Sequence, residues 1–305
     1  MAAQGSPVRI VSTDVGIDDA LALIFLNHFG QPPVDYVVAT GGNVHAELVA
    51  NNCAFLKEGY GLRPELFAGS DPTPAAGPAE ASDVHGRYGL ADMRAPAAKL
   101  PPLDQLLQRL SREDGELDLL VLGPATDAAL LLKQSGLAAR VRSVLLMGGV
   151  FEEHGGRMGN VTPFAEFNAY AHPEAAWDVI RSGVPCRFVP LDATESRLFR
   201  VEELLEGAGS SARAEFVACL IRHAHRAHVQ LGQGDGVFMH DVIAAAVWAG
   251  LLPAEWRRVP VREVICQGPK RGMVVQGAGG TPVEYAWRVD QQQFLALWRQ
   301  VVAAL

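Results

Sequence analysis

Hydrophobic runs of strand length alternate along the chain with segments that are helical in period. The apolar runs begin at Val8 and recur at 34–40, 65–69, 117–122, 141–147 and 186–191. Most of them end in Gly, Asn, Thr or Asp, and a helical pattern or a long loop follows. This order predicts an α/β fold with a mostly parallel, open sheet flanked by helices on both faces.

The C-terminal third of the chain has a different pattern. Residues 201–249 are helical in period, apart from a Gly-rich interruption at 231–236. Short alternating runs between 259 and 289 predict a small, hairpin-like β addition, and 290–305 is predicted to close the chain as a helix. No low-complexity linker marks a boundary, so we expect a single domain over 1–305.

Composition and charge narrow the class of protein. Apolar residues make up 49% of the 305 positions, which is enough for a large core. A formal net charge of −8 argues against a generally basic surface for nucleic acid. The apolar runs are too short to span a membrane and the N-terminus does not resemble a signal peptide, so we expect no membrane partner and a cytoplasmic location.

The cysteines are widely spaced and lack the CxxC pattern of zinc or redox sites. They are Cys53, Cys186, Cys219 and Cys266. Buried free thiols in a reducing compartment are expected for all four, with Cys186 and Cys219 in the core.

Three acids follow the first predicted strand, at a turn that leads into a predicted amphipathic helix. Asp14, Asp18 and Asp19 surround Gly16, which would permit a tight turn. Charges at the mouth of an apolar core are costly unless they are compensated, and clustered carboxylates suit a hard divalent ion such as Ca²⁺ or Mg²⁺. The alternative is a helix N-terminus, where an acid caps backbone N–H groups. Capping, however, needs only one of the three.

Polar residues elsewhere in the chain are predicted to converge on the same edge of the sheet. In open α/β sheets, ligands bind outside the carboxyl ends of the strands. Besides the three acids, the residues that follow strands are Asn43, Thr126 and Asp192, and those in long loops or at a helix start are His85, Asn160, Glu166, Asn168 and Asp241.

These residues lie in motifs that resemble those of the inosine-uridine-preferring nucleoside hydrolases. The family's N-terminal signature, DxDxGxDD, corresponds to residues 12–19, here Ser-Thr-Asp-Val-Gly-Ile-Asp-Asp. Further matches follow in order at 40–43 (TGGN), 122–126 (LGPAT), 147–149 (MGG), 159–160 (GN), 165–168 (AEFN) and 240–241 (HD). The resemblance covers nearly the whole chain and implies the Rossmann-like fold of that family.

The resemblance implies an enzyme that cleaves ribonucleosides, a small-molecule substrate, into free base and ribose. It implies Ca²⁺ held by Asp14, Asp19, Asp241 and the carbonyl of Thr126, with Asp14 taking a proton from a Ca-bound water. His240 would assist departure of the base as a general acid, since histidine titrates near neutrality. Ribose would be bound by Asp18, Asn160, Glu166 and Asn168, with Asn43 supporting the water and the metal. The resemblance also implies a homodimer or homotetramer, and no sequence feature fixes the number of subunits.

Most of these residues also have an ordinary structural interpretation. Thr126 could be a helix N-cap, and the asparagines and Glu166 could stabilise loops. His240 could be a core histidine, and His85 could be either a base-side contact or a surface residue. The histidine-rich segment 222–228 is predicted to be a solvated helix face.

Two departures from the family pattern leave rival functions open. Ser12 stands where the family has its first acid, and His172 stands where relatives have Asp before Pro173. A pentose-binding relative without turnover is one rival, favoured by Ser12 and by the altered base side. A metal-dependent phosphohydrolase is the other, disfavoured because Asp14 lacks the Asp-x-Thr arrangement and adjacent basic residues.

Overall fold

The computed structural model describes residues 6–74, 77, 80–151 and 158–305. The strands found there are β1 Val8–Thr13, β2 Tyr36–Ala39, β3 Glu65–Ala68, β4 Leu117–Val121, β5 Val141–Met147, β6 Cys186–Val189, β7 Ala254–Val264, β8 Val274–Gln276 and β9 Thr281–Val289. They form one 9-stranded sheet in the order β3-β2-β1-β4-β5-β6-β9-β7-β8.

The sheet is mostly parallel and open, which confirms the predicted fold class. Strands β1 to β6 and β9 pair in parallel, while β7 is antiparallel to both of its neighbours, β9 and β8. The C-terminal β addition is present, but it is not a separate hairpin. Since β9 pairs with β6, the addition extends the main sheet.

Helices cover both faces of the sheet. They are α1 Ile17–Phe29, α2 Ala46–Tyr60, α3 Ser82–His85, α4 Leu103–Leu110, α5 Thr126–Lys133, α6 Phe167–Ala171, α7 Pro173–Ile180, α8 Leu191–Thr194, α9 Val201–Leu204, α10 Ala212–Gln230, α11 His240–Trp248 and α12 Gln291–Ala303, with a 3₁₀ turn at Ala138–Arg140. One apolar core includes residues of α1, α2, α10, α11 and α12, and a second includes residues of α4, α5 and α7. No helix in the described part of the chain is both long enough and apolar enough to cross a bilayer.

The first helix differs from the amphipathic helix that its sequence suggested. Ile17 and every residue from 19 to 26 are buried, and only Asp18 interrupts this run. The reason is the packing of other helices around it, because α1 packs against α2, α10, α11 and α12 and shares one apolar core with Val11 and Val37 of the sheet. A helix buried on nearly all sides reads as hydrophobic all round.

The cysteines are free, but only two of them are in the core. Cys53 and Cys186 are buried, whereas Cys266 is partly exposed and Cys219 is exposed. The prediction that Cys219 lies in the core is therefore wrong. At 3.6 residues per turn, Cys219 is roughly 200° around α10 from the buried Val217 and faces away from the core.

Candidate active site

The acidic turn between β1 and α1 lies at the carboxyl edge of the sheet, beside the start of α11. Asp14, Asp19 and Asp241 are buried, and Asp18 is partly buried. Carboxylate oxygens of Asp18, Asp19 and Asp241 all lie within 4.8 Å of one another, so this group could hold a metal ion. Asp18, which the family resemblance assigns to ribose, thus belongs to the same cluster as two of the predicted ligands.

Asp19 is the most firmly anchored carboxylate of the cluster. Its Oδ1 accepts hydrogen bonds from the Thr13 hydroxyl and from the backbone N–H of Asp14, at 3.2 Å for the latter. Its Oδ2 accepts from the backbone N–H of Gly16 at 3.0 Å and from Asn43 Nδ2 at 3.1 Å. The capping interpretation therefore holds for Asp19, and a cation there would share an oxygen that already accepts hydrogen bonds.

Asp14 is enclosed by two glycines from different strand ends. The backbone N–H of Asn43 donates to Asp14 Oδ2 at 2.8 Å. A Cβ at Gly42 would lie 2.2 Å from Asp14 Oδ2, and a Cβ at Gly123 would lie 2.6 Å from Asp14 Oδ1. These contacts explain the glycines of the two motifs, because any larger residue would displace the carboxylate.

Gly16 is also required by a close approach and not by the backbone of a tight turn. Its φ is −91°, which any residue can adopt. A Cβ there would lie 2.5 Å from His85 Nδ1 and 2.6 Å from Asn43 Nδ2. The reason given for Gly16 from the sequence is therefore wrong, and the glycine instead makes room for two predicted site residues.

The electrostatics of the cluster call for a cation. Burial raises the pKa of Asp14 and of Asp241 well above the usual range, and repulsion from neighbouring carboxylates adds to the effect. Burial and the charge of Asp19 raise the pKa of Asp18 to about 7. None of the described residues lining the adjoining cavity is Lys or Arg. Because the available donors are carboxylate oxygens, the residues fit a hard divalent ion.

The cavity beside the cluster is open to solvent and has about 910 Å³ of free space, its mouth included. It brings together most of the predicted site residues, namely Asp14, Asp18, Asn43, His85, Asn160, Glu166, Asn168, His240 and Asp241. Asp19 and Thr126 are buried and do not line it. Thr126 begins α5, and its hydroxyl lies 2.9 Å from His172 Nδ1, so the departure at His172 contacts a predicted ligand residue.

One wall of the cavity is built by the short helix α6. Glu166 caps its N-terminus, with the backbone N–H of Asn168 donating to Oε1 at 2.8 Å and that of Ala169 to Oε2 at 3.0 Å. Gly149, which follows β5, also donates its N–H to Oε2 at 3.0 Å. The predicted stabilising role of Glu166 is therefore real, and burial raises its pKa to about 6.

Asn160 and Asn168, on this wall, each use one half of the side-chain amide in hydrogen bonds to the backbone. The other half of each amide remains available to a ligand. Asn168 Nδ2 donates to the carbonyl of Leu122 and to that of Met147, the latter at 3.1 Å, which leaves Oδ1 as an acceptor. Asn160 Oδ1 accepts from the backbone N–H of Phe167 at 2.9 Å, which leaves its NH₂ as a donor. A polyhydroxylated ligand both donates and accepts, so this pair matches its chemistry.

Histidines also line the cavity, one of them with its Nδ1 3.8 Å from Asp18 Oδ1, and hydrogen bonds set the tautomers of His85 and His228. The backbone N–H of Ile17 donates to His85 Nδ1 at 3.0 Å, so neutral His85 carries its proton on Nε2. His228 Nδ1 lies 3.2 Å from the carbonyl of Gly236, which can only accept, so His228 keeps Nε2 as an acceptor. The cavity thus offers one histidine donor and one histidine acceptor.

His240 is tied to the chain by its Nδ1, which lies 2.8 Å from the Thr194 hydroxyl. Burial and the nearby His228 and His85 lower the pKa of His240 to about 3. The expectation that this histidine titrates near neutrality is therefore wrong, because the buried imidazole is neutral at pH 7. A neutral imidazole still has one N–H with which to donate a hydrogen bond.

Sequence reasoning missed several residues that line the cavity, above all His228. It is 6% exposed and lines the cavity together with Phe238, whose ring centroid lies 5.6 Å from those of both His228 and His240. The prediction of a solvated face for 222–228 is wrong at this position. His228 continues the buried stripe of Val217, Ile221 and Ala224, and that helical spacing was the signal available in the sequence.

A sequence model of one family spans this whole arrangement. The model described as inosine-uridine preferring nucleoside hydrolase matches residues 9–296. Among similar proteins, uridine nucleosidase 1 of Arabidopsis thaliana is 29% identical, with 94% of this chain and 90% of that protein covered. The non-specific ribonucleoside hydrolase RihC of Escherichia coli is 30% identical, with 77% of each chain covered.

Solved structures of the same kind share the fold. A plant nucleoside hydrolase, PpNRh1, superimposes with a TM-score of 0.86 at 24% identity, covering 99% of this chain and 100% of that one. A purine-preferring ribonucleoside hydrolase from Gardnerella vaginalis gives 0.81 at 23% identity, covering 97% of this chain and 99% of that one. These similarities extend over the entire sheet.

Proposed function

The chain belongs to the inosine-uridine preferring nucleoside hydrolase family and is a hydrolase of nucleosides, and from this premise we propose how its own residues cleave the N-glycosidic bond of ribonucleosides. The carrying observation is that buried carboxylates, two asparagines and three histidines line one cavity. These three groups match the attacking water, the ribose and the base of one substrate.

We propose that the cation is Ca²⁺ and that Asp14, Asp19, Asp241 and the carbonyl of Thr126 hold it. Two observations support this assignment: oxygens of Asp19 and Asp241 lie within 4.8 Å of each other, and Asp14, Asp18 and Asp19 repel the Asp241 carboxylate. When bound, the ion supplies positive charge that acidifies a coordinated water and orients ribose hydroxyls.

Asp14 is proposed to be the general base. The Asn43 N–H and the close approach of Gly42 and Gly123 fix its carboxylate, so little reorganisation is needed when it accepts a proton from the attacking water. The water oxygen bonds to the anomeric carbon as the C–N bond breaks, and the bonding electron pair leaves with the base. Asn43 supports this water and the metal through Asp14 and Asp19.

Asp18, Asn160, Glu166 and Asn168 are proposed to bind the ribose hydroxyls. Asn168 Oδ1 and Asn160 NH₂ supply the acceptor and the donor that their other hydrogen bonds leave available. Contacts to these hydroxyls accelerate the reaction if they strengthen as the sugar flattens towards an oxocarbenium ion.

His240 is proposed to assist departure of the base. With the Thr194 hydroxyl donating to Nδ1, Nε2–H donates a hydrogen bond to the base as negative charge develops on it, and the base then takes a proton from solvent. His85, with its proton on Nε2, is proposed as a further donor on the substrate side.

The direct test measures base release from inosine, uridine, cytidine, adenosine and guanosine, with and without chelator. We expect release from at least one nucleoside, and loss of this release when the divalent ion is removed. We also expect Asp14→Ala to lower kcat by at least about a hundredfold, as for loss of a general base.

Two other outcomes would replace the proposal. Ribose binding detected by calorimetry without release from any nucleoside would favour a pentose-binding protein. Hydrolysis of a phosphomonoester would favour the phosphohydrolase. We further propose that the chain acts as one domain and that it is located in the cytoplasm. We also propose a homodimer or homotetramer, and sedimentation equilibrium would measure the number of subunits.

A further inference from the structure

One buried carboxylate beside the active site has no role in the mechanism above. Asp127 is the second residue of α5, follows Thr126 directly and is only 2% exposed. It does not line the substrate cavity. The Thr40 hydroxyl donates to its Oδ2 at 2.6 Å, and the backbone N–H of Ser70 lies 3.2 and 3.1 Å from its two oxygens.

The hydrogen bond from Thr40 fixes the direction of a longer chain. A threonine hydroxyl has one proton, and here Asp127 receives it. The Ser12 hydroxyl, 2.7 Å from Thr40 Oγ1, must therefore donate to Thr40. The chain runs from Ser12 through Thr40 to Asp127, and it starts at the position where the family signature has an acid.

The surrounding backbone leaves room for this carboxylate. A Cβ at Gly69 would lie 2.0 Å from Asp127 Oδ2. Ser12 lies in β1, Thr40 follows β2, Gly69 follows β3 and Asp127 comes after β4. Asp127 therefore links the ends of four neighbouring strands, which also carry Asp14, Gly42 and Thr126.

These links lead to residues proposed to bind the metal. Ser12 is two positions before Asp14, and Thr40 is two positions before Gly42, which contacts the Asp14 carboxylate. Thr126, whose carbonyl is a proposed ligand, is the neighbour of Asp127. Groups that orient metal ligands without touching the metal typically change the metal affinity by about 10–100-fold when they are removed.

We propose that Asp127 is a positioning residue that supplies, from α5, the carboxylate that the family carries at position 12. The inference rests on the proposed function only in taking Asp14 and Thr126 as metal ligands. It also implies that this space accepts a single carboxylate. Thr40 has one proton to donate, so a second acid at position 12 would be buried without that partner and beside a like charge.

The test is a double-mutant cycle of Ser12→Asp, Asp127→Asn and the two changes combined. We expect Asp127→Asn to weaken Ca²⁺ binding, measured by calorimetry, by about tenfold or more, as for loss of a group behind a metal ligand. Ser12→Asp alone should lower the melting temperature of the chelator-treated protein. The double variant should recover both quantities, with Ca²⁺ affinity within about threefold of the parent, because it again has one carboxylate in this space. The cycle isolates the coupling between the two positions.

Asp118→Asn is the matched control. Asp118 is also a buried acid, but it lies on β4 and bonds Arg142 and Ser143 away from the cluster. It should lower the melting temperature without changing Ca²⁺ affinity, so the comparison separates positioning from general stabilisation. If Asp127→Asn does not fold, Thr40→Val and Thr40→Ser serve instead, and only the Val variant should lose affinity.

Unchanged Ca²⁺ affinity in Asp127→Asn would overturn the proposal, and so would a double variant whose defects are the sum of the single ones. Neither readout requires turnover. A protein that binds Ca²⁺ with this coupling but releases no base would refute the proposed reaction and leave the role of Asp127 standing.

Discussion

The acidic end of the substrate cavity and the histidines that line the same cavity are held in different ways. At the acidic end, Asp14 and Asp19 come from a strand-to-helix turn and are held by backbone N–H groups and by Asn43. His85, His228 and His240 come from three separate helices, and each has a hydrogen bond at Nδ1.

This difference predicts which residues serve bond cleavage and which recognise the base. The acidic end is fixed by the sheet, whose strand ends approach so closely that glycine is required at positions 42 and 123. His228 lies on α10, is not among the residues proposed to cleave the bond, and lines the cavity. We therefore expect substitutions at the acidic end to abolish activity on every nucleoside, and substitution of His228 to change the ranking of nucleosides.

The largest expected effect comes from Gly123→Ala, which would break the acidic end without touching substrate. The new Cβ would lie 2.6 Å from Asp14 Oδ1, so the carboxylate must move. A displaced general base should lower kcat by about a hundredfold on all nucleosides alike.

Gly59→Ala is the control for this glycine substitution. Gly59 lies in α2, and a Cβ at this position would meet no atom of the described residues within 4 Å. Activity should therefore be retained, and stability should rise by about 0.5–1 kcal/mol. Retention of full activity by Gly123→Ala would show that the Asp14 carboxylate can move without loss of function, and that the acidic end is not rigid.

The next effect concerns Glu166, which lines the cavity at the start of α6. Burial raises its pKa from 4.5 to about 6, so the folded protein binds this proton more tightly than the unfolded chain. The free energy of unfolding should therefore fall as pH rises from about 4.5 through about 6, by roughly 2 kcal/mol for this group. Glu166→Gln cannot titrate and should lack this contribution.

The measurement is denaturant unfolding of both proteins between pH 4.5 and pH 7, in the presence of chelator. Subtracting the Glu166→Gln values removes the titration of the other carboxylates, which both proteins share. A difference that does not change with pH would mean that Glu166 ionises as easily in the folded protein as in the unfolded chain.

The smallest effect is expected for His228→Gln, which tests most directly whether His228 recognises the base. The buried acceptor at Nε2 is replaced by an amide of different reach and geometry. The ratio of kcat/KM values between two nucleosides should change by about tenfold, while Ca²⁺ affinity stays the same.

His225→Gln is the matched control for this change. His225 lies on the same helix but bonds the exposed Asp235 and does not line the cavity. If both variants leave the ranking of nucleosides unchanged, base recognition does not depend on this face of α10.

Much of the acidic end could be predicted because its signals are local. Asp14, Asp18 and Asp19 lie in one short turn, and the rule that parallel strands end at one edge brings Asn43 to them. The strand-and-helix alternation likewise predicted an open parallel sheet. These inferences need only the spacing of residues and the geometry of strands and helices. Asp241, at the start of a helix, was placed at this edge by the family resemblance.

The same local reasoning failed where the packing of other helices decides the outcome. The first helix was expected to be amphipathic, but the helices packed around it bury it. His228 was assigned to solvent within a charged segment, but the other side of α10 faces the cavity. The neutral state of His240 depends on burial and on two histidines from other helices.

The sequence by itself determined the fold class, the acidic turn and the set of residues that meets at the edge of the sheet. Only the tertiary structure decided which nitrogen of each histidine is free, why glycine is required beside Asp14, and that Ser12 connects through Thr40 to Asp127. The physical reason is the separation along the sequence of the residues that interact. Backbone periodicity depends on neighbouring residues, whereas desolvation, close approach and hydrogen-bond direction depend on distant ones. In the chain from Ser12 to Asp127 the partners are 28 and 87 positions apart.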